Sequence, residues 1–397
     1  MAPRSRCSIQ PAWRSDGVLH AVSDRTGWWN LYRREDGDWI PYREESAEYG
    51  TPGWQFGLAT YAFLEDGRVA AAVTRDGDRN LELVSPDGTR EVPDLPDAVF
   101  GTGHPRVRSD GESIYAVVGD PARLSRLVRW APGEDGPPDV LRRVSDVDLD
   151  EAYLSIPEHL TVPTRDGAET HAYVYSPQHP DVEPPGDDRP PLIVNAHGGP
   201  TAATQPTFDL GVQFFTSRGF AVADVNYRGS TGYGRAYREA LYGDWGNTDV
   251  EDCIDVANYL ADQGAVDADL ERLAELTHKF ESRYMDQLVG PYPEAAETYE
   301  ARSPVNHAEN VDAPVLLLQG EDDPVVPISQ AEAMADTLAD NAVSHDLVVF
   351  EGEQHGFRRA DSRERAAEVE LAFYGEVFGF EPADDLPAVD LSSKASE

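Results

Sequence analysis

Asp-Gly pairs recur early in the chain, among them Asp16-Gly17, Asp36-Gly37, Asp66-Gly67, Asp76-Gly77, Asp87-Gly88 and Asp110-Gly111. Asp-Gly between apolar alternations is the strongest short-range hairpin signal, because glycine reaches positive φ freely and aspartate tolerates it. Short β-type runs separate the pairs: "VLHAVSD", "NLYRR", "YAFLEDG", "VAAAVTRDG", "LELVSPDG", "SIYAVVGD" and "RLVRWAPG". A chain that reverses this often builds antiparallel sheet. The pattern restarts every 40 to 50 residues, at "AWRSDGVLHAVSD", "YAFLEDGRVAAAV" and "RVRSDGESIYAVV". That period suits β-propeller blades. Residues 1–150 are expected to form a partial propeller of about three blades, where a closed ring needs about four. The plainer reading is an open β-meander.

From about residue 155 the pattern changes. "PLIVNAHGGP" (191–200) is a buried apolar strand that runs into a glycine turn, and "GFAVADVNYRGSTGYG" (219–234) is a second strand with its loop. "DVEDCIDVANYLADQG" (249–264) is a helix opened by acidic residues, as its dipole favours. Its periodicity puts Val250, Cys253, Ile254, Ala257 and Leu260 on one face, so Cys253 reads as a packed core thiol. "APVLLLQGEDDPVVP" (313–327) and "HDLVVFEGEQHGF" (345–357) supply two more strands, and residues 362–378 a last helix. Strands alternating with helices predict a three-layer αβα domain over 151–380, with a mostly parallel sheet. The tail 381–397, "EPADDLPAVDLSSKASE", has little to bury and is expected to be disordered.

The chain carries 73 acidic against 33 basic residues in 397, a net charge of −40, and lysine occurs only at Lys279 and Lys394. That balance repels nucleic acid and anionic membranes. The acidity is spread along the whole chain, which fits a surface solvated at high salt and a halophilic source. Cys7 and Cys253 do not make a disulfide framework. No apolar run reaches the roughly 18 residues of a membrane span. "MAPRSRCSIQ" does not read as a signal peptide, so a cytoplasmic location is expected. Neither a metal cluster nor a phosphate loop is visible, and no cofactor is expected. Gly229, Gly232 and Gly234 are spaced unlike a nucleotide fingerprint.

Open α/β sheets bind ligands at the carboxyl ends of their strands. The loops there carry "HGGP" with Gly198 and Gly199, then Asp322 in "GEDDPVV", then His355 in "GEQHGF". An acid followed by a histidine is the order of α/β-hydrolases, whose nucleophile precedes both. His355 would act as general base, and Asp322, or its neighbour Asp323, would fix its tautomer. The glycines would offer backbone N–H to an oxyanion. His197 either borders the site or supports the turn from behind.

Several longer stretches strengthen this reading: "VSDRTGWWNLYR" (22–33), "NAHGGPT", "DVNYRGSTGYGRAYR", "THKFESRYMDQLVGPYPEA", "PVLLLQGEDDPVVP" and "FEGEQHGFRRA". With them the chain resembles the prolyl oligopeptidase family of serine peptidases, in its acylaminoacyl-peptidase and dipeptidyl-aminopeptidase branch. The resemblance implies an N-terminal β-propeller joined to an α/β-hydrolase domain. It also implies cleavage of short peptides through an acyl-enzyme, with the propeller limiting substrate size. By motif, Asp322 matches the catalytic acid as the first aspartate of D-D-x-V, His355 the catalytic histidine, and "HGGP" the oxyanion turn. Val325 matches a lining position of the substrate pocket, with His197 beside it.

The family's nucleophile sits on a G-x-S-x-G-G elbow, and no G-x-S-x-G occurs in this chain. "YRGSTGYG" comes nearest, but Arg228 stands where the first glycine must be, and Ser230 reads as a turn former. The elbow is expected after the helix ending at Gly264, yet "QGAVDADLERLAEL" (263–276) follows directly. A block of about 35 to 45 residues, holding two central strands, is therefore expected to be missing, with element boundaries uncertain at hairpin scale. Strands lie about 4.8 Å apart, so such a gap leaves some ~15 Å between the flanking strands. The propeller is expected to lack its first part. Three readings follow: a serine peptidase by descent that is inactive or severely impaired, a non-catalytic module binding peptides or an intact homologue, and a small-ester hydrolase using Ser230 or Ser329. Short peptides are the expected partners, together with a possible homo-oligomer.

Overall fold

The computed structural model describes residues 8–391, apart from 54–56, 94–104, 135, 148, 183–188, 268–287, 292, 304–305 and 308–309. Cys7 and the stretch 268–276, on which the missing block was placed, lie outside the described residues. The chain divides into two compact units, Met1–Leu241 with Asn247–Val266, and Tyr242–Gly246 with Asp267–Glu397.

The first unit begins with three four-stranded antiparallel sheets. They are β1 to β4 (Ser8–Trp13, Leu19–Ser23, Asn30–Glu35, Asp38–Pro41), β5 to β8 (Tyr61–Phe63, Val69–Arg75, Asp78–Val84, Arg90–Glu91) and β9 to β12 (Val107–Ser109, Ile114–Asp120, Arg123–Trp130, Asp139–Arg143). The Asp-Gly pairs make their turns in two ways. Asp36-Gly37 and Asp76-Gly77 both hold positive φ at the two central positions, the twist-matched two-residue hairpin turn. At Asp16, Asp66, Asp87 and Asp110 the carboxylate instead accepts the amide two residues on. Alternating residues then face neighbouring sheets. Val22, Trp29, Leu31, Tyr61, Val69 and Val73 form one buried cluster, and Leu64, Ala70, Leu83, Ile114, Val118 and Val128 a second.

The same unit continues into a sheet of order β13-β14-β16-β15, with strands Glu158–Pro163, Glu169–Tyr175, Ala221–Asn226 and Leu192–Ala196. Only β15 and β16 run parallel; β13 with β14 and β14 with β16 are antiparallel. The expectation of a mostly parallel sheet is corrected in this part. A tight Asp166-Gly167 turn joins β13 to β14 without the helical crossover that parallel strands require. Helix α1 (Leu210–Thr216) is capped by the Asp209 side chain. Helix α2 (Gly234–Glu239) follows β16. Helix α3 (Thr248–Asp262) buries Asp252 and Asp255 along with Val256, Ala257 and Leu260. Those carboxylates bind Arg228 and Arg165, which rotates the helix and leaves Cys253 half-buried rather than in the core.

The second unit contains helix α4 (Ala296–Ala301) and the parallel pair β17 (Val315–Gly320) and β18 (His345–Phe350). Side chains of β17 alternate: Val315 and Leu317 pack toward Leu338 on α5 (Ile328–Asp340), Leu316 toward Val369 and Phe373 on α6 (Ala360–Phe378). This is helix, sheet, helix in three layers. Val389 and Leu391 pack against the α6 cluster, and the Asp390 N–H meets the Asp346 carboxylate at 3.3 Å. The tail is thus placed as far as Leu391, which corrects the expectation of disorder from 381. Its spaced apolar residues cover part of that cluster.

Two Asp-Gly glycines differ in what surrounds them. A Cβ at Gly37 (φ 93°) would meet open space, whereas at Gly77 (φ 87°) it would lie 2.3 Å from the Tyr233 hydroxyl. We expect Gly37→Ala to cost about 1 kcal/mol from handedness alone, and Gly77→Ala distinctly more. Urea unfolding of both variants checks the order; equal losses refute the close approach.

Candidate active site

The loops after β17 and β18 are built to meet. Gly320 ends β17, and a Cβ there would sit 2.4 Å from the Gln354 carbonyl and 2.8 Å from that of Glu353. The Asp322 N–H donates to the Glu353 carbonyl at 2.9 Å. Glu353, itself buried, accepts the amides of Arg358 and Arg359 at 3.0 Å each and so closes the loop that carries His355. Those amides hold its carboxyl below the usual range.

Asp323 is the acid that meets the histidine. Its Oδ2 lies 2.9 Å from His355 Nδ1. Its Oδ1 accepts the amides of Val325 and Val326 at 2.8 and 2.9 Å. Burial pushes the Asp323 carboxyl up, but the Val326 amide, His355 and the Val325 amide outweigh it, and its pKa lies below the ordinary value. Asp322, the residue expected in this role, is exposed and takes part through its backbone. The correction has a local cause: Asp323 precedes Pro324, and Asp-Pro initiates a turn in which the carboxylate folds back onto the following amides. That was the signal in the sequence. Val325 is exposed at 41% and contributes its amide to this turn. The His355 side chain is 46% exposed.

The "HGGP" turn follows β15 in the other unit. Gly199 takes φ 60°, and the Gly198 and Gly199 amides have no acceptor among the described residues. His197 is committed internally. Its Nε2 lies 2.7 Å from Ser230 Oγ, its ring stacks on Tyr227 at 4.4 Å, and its carbonyl accepts the Tyr227 hydroxyl at 2.7 Å. Burial pushes its pKa down to about 4. His197 therefore supports the turn rather than walling a pocket. Ser230 is fully buried, and its contact with His197 is that of a structural brace.

Among the described residues no group of acidic, histidine and cysteine side chains could hold a metal ion. No helix among them is long and apolar enough to cross a membrane.

We expect Asp323→Asn, but not Asp322→Asn, to alter the His355 Nδ1–H signal in long-range proton–nitrogen spectra. Asp323 contributes stability above pH ~4 that fades as its carboxyl protonates. The unfolding difference between wild type and Asp323→Asn is therefore expected in full at pH 6 and to shrink as the pH falls below about 4; equal effects of the two substitutions would refute the assignment.

The sequence profile of the prolyl oligopeptidase family matches residues 206–276 and 268–381. An uncharacterized peptidase of Bacillus subtilis, YuxL, is 28% identical over 63% of this chain and 43% of its own length. Dipeptidyl aminopeptidase BIII of Pseudoxanthomonas mexicana is 24% identical over 55% of this chain and 38% of its own. Among solved structures, a puromycin-hydrolyzing peptidase of Mycobacterium tuberculosis aligns over 98% of this chain and 64% of its own, with 36% identity and a TM-score of 0.89. The chain thus spans about two fifths of the length of these curated relatives. By its match to the family profile and its likeness to a puromycin-hydrolyzing peptidase, the chain is similar to the prolyl oligopeptidase family.

Proposed function

We propose that this chain carries the histidine, acid and oxyanion turn of a serine peptidase for short peptides, without the nucleophile, and that it is inactive or severely impaired. The bond between His355 and Asp323 carries the reading. A histidine at a strand's carboxyl end, with Nδ1 on a carboxylate and the ring open to solvent, is set up as a general base. Gly198 and Gly199 are the proposed oxyanion donors. Short peptides are the proposed ligands; a solved puromycin hydrolase S511A mutant is complexed with PGG. A soluble cytoplasmic setting is part of the proposal.

A missing block after Gly264 belongs to the same reading. The two profile matches overlap at 268–276, as they would where family sequence on either side has been joined. The compact units divide at the same place, after Val266. Among the described residues β15 has a paired neighbour on one edge only, and its Asn195 and Ala196 are exposed. Parallel strands are ordinarily covered on both faces and paired on both edges. A non-catalytic module that binds peptides or an intact homologue is the second reading, favoured by the same absence of a G-x-S-x-G serine. The small-ester hydrolase reading is weakened at Ser230, which is buried against His197.

A serine-directed fluorophosphonate tests the proposal. We expect no labelling of the native chain, and peptide hydrolysis about a million-fold below an intact triad, as when a serine peptidase loses its nucleophile. Stoichiometric labelling that disappears in Ser230→Ala or Ser329→Ala would overturn it.

A further inference from the structure

The loop after β16, residues 227 to 234, touches the oxyanion turn on one side and the propeller sheets on the other. Toward the turn, Ser230 Oγ holds His197 and the Tyr227 hydroxyl holds the His197 carbonyl. The Thr231 N–H donates to the Ala202 carbonyl at 2.8 Å. Toward the propeller, Gly232 leaves only 3.2 Å between a would-be Cβ and Thr74. Beyond it the Arg235 N–H donates to the Gly27 carbonyl at 2.7 Å. Arg238, one turn on, is buried. Its Nη2 lies 3.3 Å from Asp24 Oδ2, its Nη1 3.7 Å from Glu48 Oε1, and its guanidinium sits 3.9 Å above the Trp29 ring. Glu48 accepts the Trp29 amide at 2.9 Å and is also hydrogen-bonded by the backbone of Gly234, the first residue of α2.

We propose that Arg238, clamped by Asp24, Glu48 and Trp29, is a positioning residue through which the first propeller sheet sets the oxyanion turn. The route is continuous: Glu48 and Asp24 fix α2 at both ends, α2 fixes the 227–234 loop, and Ser230 and Tyr227 fix His197 next to Gly198. Neither Arg238 nor Glu48 touches His197 or its glycines, so each acts at one remove. The clamp is demanding. A buried guanidinium has five donors to satisfy, and removing one partner leaves an uncompensated charge. Glu48 Oε1 and Arg238 Nη1 face each other at 3.7 Å, just beyond hydrogen-bond reach.

The oxyanion role of this turn rests on the proposed function; the coupling does not, and it can be read without activity. The titration of His197 reports the state of the turn, because burial holds its pKa near 4. In Ser230→Ala, which cuts the last link, we expect that pKa to rise toward the ordinary value of about 6.5. The same rise is expected in Glu48→Gln, an isosteric change in the propeller. His20, buried in the same propeller sheet and bonded to Tyr42, serves as the control and should keep its lowered pKa. Side-chain NMR at a series of pH values reads both histidines. If Glu48→Gln does not fold by circular dichroism, the triple variant Asp24→Asn, Glu48→Gln, Arg238→Met removes all the charges together and carries the same expectation. An unchanged His197 titration in a folded clamp variant overturns the inference. So does a rise shared by His20, which would mean general loosening. Labelling by a fluorophosphonate bears on the proposed function and leaves this result untouched.

Discussion

A guanidinium cannot leave water without acceptors, and the first unit is organised around two that do. Arg228 and Arg238 stand ten residues apart on the segment that follows β16. Arg228 gives its side chain and its amide to Asp252 of α3, with Nη2 2.6 Å from Oδ1, and reaches Asp166 in the β13–β14 turn at 2.7 Å. Arg238 turns the other way, into the propeller. Between them the loop has little freedom, and Ser230 and Gly232 are held where the "HGGP" turn and the Asp76-Gly77 hairpin need them. The excess of acid helps here, because it supplies carboxylates to both arginines. Arginine suits such sites better than lysine, since its planar fork satisfies two oxygens at once.

Much of this was legible in the residues. Asp-Gly pairs marked hairpins because few other dipeptides reach the required φ, and the three sheets follow their spacing. The apolar runs ending in "HGGP", "GEDD" and "GEQHGF" marked the strands that carry the site. What escaped was of two kinds. Adjacent carboxylates look alike in a sequence, and only the turn begun by Asp323-Pro324 separates the inward from the outward one. Helix rotation was misjudged for α3, since apolar periodicity assigns Asp252 and Asp255 to solvent. The arginines that draw them in come from distant strands and turns. Tertiary pairing of that kind has no local signature. The tail was misread for the same reason, because Val389 and Leu391 find their partners only once α6 is in place.

The proposed chemistry is divided between the units. The general base and its carboxylate belong to the unit that holds β17 and β18, and the oxyanion donors to the unit that holds β15 and β16. Each half is well braced: Gly320 and Glu353 lock the histidine loop, and Ser230 and Tyr227 lock the glycine turn. Preorganised donors and a fixed tautomer contribute to catalysis only in combination with a group to attack.

β15 ends its sheet with a row of backbone groups that no described strand takes up, beside half-buried Leu192, Ile193 and Val194. Such an edge is a template for any other extended chain, including another copy of the same protein. The strand itself carries no lysine, no proline and no bulge in its register with β16. The protection comes from afar, in the mutual repulsion of molecules that each carry forty negative charges. Salt weakens that repulsion, with a screening length falling from about 10 Å at 0.1 M to about 3 Å at 1 M. For this molecule colloidal stability and conformational stability therefore pull in opposite directions as ionic strength rises.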